Sequence, residues 1–128
     1  MTTRLFPYCI YTTIGRDKLK GIKKGDLVES KEWKTGEDLF RKACKAKQDM
    51  AIIFSDAARD CSALIYWAVI SNIKLGERKT TCKFRSLRLL PKGKHRTQRL
   101  RLKSTNKTIA PDFIRPYAIC LTPDFLAS

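Results

Sequence analysis

The chain has 128 residues, 43% of them apolar, which is enough for one domain with a buried core and excludes a disordered low-complexity segment. It carries 27 lysines and arginines against 12 acids, a formal net charge of +15 that points to a polyanionic partner. The longest apolar run, residues 63–70, is far shorter than a membrane span, and residues 1–18 hold no continuous apolar stretch of the secretory type, so a cytoplasmic or otherwise intracellular protein with no membrane partner is expected.

Residues 4–11 are β-prone (Leu5, Phe6, Tyr8, Ile10), and Pro7 assigns them to an edge strand because proline cannot donate to a ladder. Residues 15–25 form a basic turn region, and the Gly25-Asp26 turn leads into a short strand over 26–33. The clearest helix covers 35–48. Thr35 is its expected cap and Asp38 the capping-box partner. Leu39, Phe40, Ala43 and Ala46 recur at helical spacing on one face, which is predicted to lie on a sheet.

Residues 50–54 make a short, fully apolar strand, and 55–61 a polar turn or a single helical turn. Residues 63–73 are the expected central strand. After a turn at 76–79 the chain returns as a strand over 80–90, bent around Ser86 where the apolar alternation changes phase. A basic loop at 91–94 precedes a cleanly alternating strand at 98–103, with Leu100 and Leu102 on one face and Arg99, Arg101 and Lys103 on the other. The apolar end, residues 116–126, is expected to dock on the core. The order predicts a single α+β domain over 1–128: a small, curved, mostly antiparallel β-barrel with one main amphipathic helix packed alongside.

The five cysteines, Cys9, Cys44, Cys61, Cys82 and Cys120, are odd in number, widely spaced and without a CxxC pair. Most sit among apolar residues and read as small core side chains in a reducing compartment. With one histidine and no clustered ligands, no metal and no cofactor is expected.

Charge is concentrated. Residues 78–110 hold twelve lysines and arginines and no acid, which leaves 15 basic and 12 acidic residues elsewhere. Such self-repulsion is offset most simply by nucleic acid. Basic residues two apart on a strand stand about 6.5–7 Å apart, near the phosphate spacing of an extended strand. If the strands at 80–90 and 98–103 pair as a hairpin over 80–103, then Arg85, Arg88, Lys92, Lys94, His95, Arg96, Arg99, Arg101 and Lys103 make one salt-sensitive, sequence-independent phosphate grip.

A base pocket is expected beside it. Trp33, flanked by Lys31-Glu32 and Lys34, is a candidate exposed stacking platform. Tyr66 and Trp67 are adjacent on a strand and so point to opposite faces, one into the core and one free to line a cleft. Ser55 and Asp56 end an apolar strand with a hydroxyl and a carboxylate, which either read a base edge or cap a short helix.

A turn ending in Lys24-Gly25-Asp26, then a strand and a helix, then a β-rich run through Tyr66-Trp67, resembles the PUA-like superfamily and its ASCH, EVE and YTH branches. The resemblance implies a small β-barrel with helices alongside that binds RNA or modified bases. Two other classes fit the charge. One is an interaction module or inhibitor whose basic face docks an acidic protein. The other is a metal-independent ribonuclease with His95 as its base and Lys94 or Arg96 stabilising the phosphorane. No phosphate loop or nucleophile elbow supports enzymatic activity further.

Overall fold

In a computed structural model, described over residues 5–14, 25–29, 33–56, 60–77, 79–89, 100–103, 118–123 and 126, the β-branched and aromatic segments pair into one sheet. The elements are β1 (Tyr8–Ile14), β2 (Asp26–Glu29), α1 (Lys34–Lys45), β3 (Ala51–Asp56), β4 (Asp60–Gly76), β5 (Lys79–Leu89) and β6 (Ala118–Leu121). The strand order is β2-β5-β4-β3-β1-β6. β1 and β3 run parallel, and the other four ladders are antiparallel. The α+β class therefore stands. Among the described residues no ladder joins β2 to the β6 end, so the sheet is open there. No helix among them is long and apolar enough to cross a membrane.

The sheet is buried on both faces through its middle, which is why β3 is a continuous apolar run rather than an alternating one. A first cluster packs Ile10, Ile52, Phe54, Ala68, Ile70 and Phe84 under Trp33, Leu39 and Ala43. Phe54 and Phe84 meet at 5.4 Å between centroids. A second cluster on the other face packs Cys9, Tyr11, Ala51, Ile53, Trp67 and Val69 against Leu100, Ala118 and Leu126. Full burial of each such large side chain contributes about 1.5–3 kcal/mol.

β1 is not an edge strand: β3 and β6 flank it. Pro7 precedes the strand, where its missing N–H is not needed, and its carbonyl accepts from Thr122 N at 2.9 Å. The helix starts earlier than expected. Trp33 occupies its N-cap with no side-chain cap, and Thr35 lies inside the first turn, so the Thr35 capping box does not form. The helix ends in a Schellman pattern, Gln48 N donating to Ala43 O and Lys47 N to Cys44 O, with Lys47 at φ 57°.

β4 runs 17 residues and lies between β3 and β5, as a central strand should. β2 is held at its entry by Gly25. That residue sits at φ +90°, and its carbonyl accepts from Phe84 N at 2.9 Å. A Cβ there would stand 2.9 Å from the Phe84 carbonyl oxygen. Gly25→Ala is expected to destabilise the protein by about 1–3 kcal/mol through forbidden φ and backbone clash. Urea denaturation measures this as a lowered midpoint at unchanged m; an unchanged midpoint would mean that β2 enters the sheet by another route.

Candidate nucleic-acid interface

The β4–β5 ladder has two irregularities, one adding a residue on each strand, and together these decide where the charge goes. Val69 pairs with Arg85 and Trp67 with Arg88, two residues on β4 against three on β5, so Ser86 and Leu87 together face Ala68. This bulge falls where the sequence changes phase. Ile70 pairs with Phe84 and Asn72 with Lys83, so β4 carries the extra residue there. Cys82, Phe84 and Leu87 all pack on the first cluster even though the step from 84 to 87 is odd. Arg88 is thereby moved to the other face. By parity it would otherwise follow Cys82 and Phe84 into the core.

One sheet face at the β4–β5 corner consequently presents Lys74, Lys79, Lys83, Arg85 and Arg88, all exposed. Lys83 and Arg85 are about 6.6 Å apart along the strand at its usual rise. Arg88 lies over the Trp67 ring in a cation–π contact, its guanidinium carbon 5.0 Å from the centroid. Arg85 is held by Asp49 at 3.2 Å, and the two side chains are 57% and 23% exposed. Asp26 of β2 stands opposite Lys83 in the register. Lys79 and Lys83 were legible in the alternation Lys79-Thr81-Lys83-Arg85, whose partners Thr80, Cys82 and Phe84 are buried, whereas Lys74 joins them only through its place opposite Thr81 in the β4–β5 register.

The single hairpin grip over 80–103 is corrected. Leu102 bridges Cys120, Lys103 N donates to Ile119 O at 3.0 Å, and Leu121 N donates to Arg101 O at 2.8 Å. The segment thus pairs with β6, at the far end of the sheet from β5. The cause is burial: Leu100 is fully enclosed in the second cluster and Leu102 packs against it, so their covering of the sheet fixes the partner. Arg101 and Lys103 are exposed opposite Leu121 and Ile119, and Ile119 packs on the first cluster. They therefore share the helix-side face, whereas Arg85 and Arg88 lie on the other. Lys103 sits 4.9 Å over the Tyr8 ring. Lys92, Lys94, His95, Arg96 and Arg99 lie outside the described residues, so the ribonuclease alternative gains no geometry.

The aromatic pocket is also corrected. Trp33 is 0% exposed and closes the first cluster, leaving Lys34 beside it to face solvent. An indole covers more apolar area than any other side chain, and here that area goes into the core. Tyr66 and Trp67 do point to opposite faces, but both pack: Tyr66 partly buried on the first cluster, Trp67 7% exposed in the second. Ser55 lies inside β3, fully buried, with its Oγ 2.7 Å from the Tyr11 hydroxyl. Among the described residues it caps no helix, and its hydroxyl is enclosed beside Tyr11. Asp56 ends β3 with its backbone paired to Asp60.

Three cysteines behave as core side chains. Burial pushes the Cys82 and Cys120 thiols up to about 12 and raises Cys9 as well, with Cys120 adding to the effect on Cys9. Cys44 is exposed and free. Among the described residues no three His, Cys, Asp or Glu side chains converge as a metal site. No family model matches the chain, and no curated protein matches it.

Proposed function

We propose that this chain binds nucleic acid, RNA or single-stranded DNA first, through its phosphates at the basic β4–β5 face. The observation that carries the reading is the convergence of Lys74, Lys79, Lys83, Arg85 and Arg88 on one exposed face, achieved by a bulge that turns Arg88 out of the core. Contacts of this kind position a backbone and carry little sequence information. The PUA-like barrel belongs to the same proposal. It is supported by the mixed α+β sheet and by the Gly25-Asp26 entry to β2, and it needs β2 and the β6 end to meet. Trp33 takes no part in the proposed binding, because that ring is enclosed.

The test is fluorescence polarisation with labelled oligouridylate, oligothymidylate and duplex DNA at about 50 and 200 mM salt. Affinity is expected to fall steeply with salt, log K against log salt having a slope of about −3 if some four phosphates are neutralised. Absence of binding at the lower salt overturns the reading and moves the basic face to an acidic protein partner.

Asp49 opposes this function, because its carboxylate neutralises Arg85. Asp49→Asn is expected to tighten binding about two- to fivefold at low salt and to do less at high salt. Weaker binding by that variant would mean that the pair orders Arg85 for its ligand instead.

A further inference from the structure

We infer that Arg88 is the principal phosphate contact of this face and that Trp67 is its positioning residue, an inference that rests on the proposed function. Among the exposed cations of the row, the two arginines differ in what surrounds them. Arg85 already has a carboxylate, Asp49, at 3.2 Å. Arg88 has no hydrogen-bond or ion-pair partner among the described residues, and its guanidinium carbon lies over an indole, 5.0 Å from the ring centroid. Stacking occupies the flat face of a guanidinium and leaves its edge donors outward, the geometry that takes a phosphodiester bidentately.

The indole is itself fixed. Trp67 is 7% exposed and packed in the second cluster with Ala51, Ile53 and Val69. It stands directly opposite Arg88 in the β4–β5 register. The bulge at Ser86 and Leu87 brings Arg88 onto that face at all. Bulges of this type re-aim a side chain beside functional sites. The three features, bulge, buried ring and unpaired guanidinium, hold one cation in one orientation before any ligand arrives, so less rotamer freedom is lost on binding. Lysine at the same position keeps the charge but loses the planar fork.

The experiment is the polarisation titration above, run on the full chain with whichever of the three oligonucleotides the parent binds most tightly. Arg88→Lys is expected to weaken binding about five- to tenfold with an unchanged salt slope, since charge is conserved and only geometry is lost. Trp67→Leu is expected to weaken it by a similar factor, Trp67→Phe by less, and the Trp67→Leu/Arg88→Lys double variant by no more than either single change. Arg41→Lys, on the helix and paired with Glu37 at 2.9 Å, serves as the control and binds as the parent does. If Trp67→Leu does not fold, Arg88→Lys alone decides, because that side chain is exposed. A parent that binds in a salt-dependent manner while Arg88→Lys stays within about twofold of it overturns the assignment and leaves the proposed function standing. A parent that binds none of the oligonucleotides overturns both.

Discussion

A Trp33→Ala protein is expected to lose about 3–5 kcal/mol of stability, a drop of roughly 10–20 °C in melting temperature, without a specific loss of nucleic-acid affinity. The indole is 0% exposed in the first cluster, so truncation removes its transfer energy and leaves a cavity between α1 and the sheet. The backbone of residue 33 would keep its own tie, the N–H donating to Thr80 Oγ1 at 2.8 Å, so β5 and the start of α1 stay joined. Thermal melts give the stability change, and titration of the folded protein below its transition gives the affinity. A variant as stable as the parent that no longer binds would restore Trp33 as a stacking platform and contradict its burial.

Reversing Arg85 and Arg88 together to glutamate is expected to weaken binding about 100-fold at low salt, by a similar factor for every sequence tried. Each reversal removes one phosphate contact and adds one repulsion, and the two positions lie within the same exposed row. Both side chains are exposed, so the fold should survive; what is lost is the Asp49 pair and the stack on Trp67. Circular dichroism checks this. The informative comparison is Arg101→Glu with Lys103→Glu, which changes charge equally at the opposite end and face of the sheet. It is expected to cost less than tenfold, mostly through the long-range field. Equal losses from the two pairs would mean that the polymer wraps from one edge to the other.

The helix, the apolar β3, the central β4 and the phase change in β5 were legible because each is a local periodicity with a single physical reading. Thr80, Cys82 and Phe84 alternate with Lys79, Thr81, Lys83 and Arg85, and that alternation alone separates core from charge. Alternation also told which way Leu100 and Leu102 face, but not which strand receives them. A hairpin to the nearby 80–90 strand closes a short loop cheaply, yet the leucines complete the second cluster beside β6 instead. Trp33 failed for a related reason. Its sequence neighbours are lysines and a glutamate, while the residues that enclose it come from α1 and from strands far along the chain. Pro7 misled because its position relative to the strand start, not its presence, sets whether a ladder bond is lost.

β1 draws neither of its neighbours from the adjacent chain. It pairs with β3, Ile10 against Ile52, and with β6, Cys9 against Cys120. Such topology has high contact order, so loop-closure entropy must be met before these ladders stabilise anything. During synthesis the strand would wait with one ladder unformed until residues 118–121 emerged, its backbone groups and the Cys9 and Tyr11 face open to other chains. The segment between β5 and β6 is strongly like-charged, and while the sheet is incomplete its lysines and arginines would oppose the approach of a second half-made molecule.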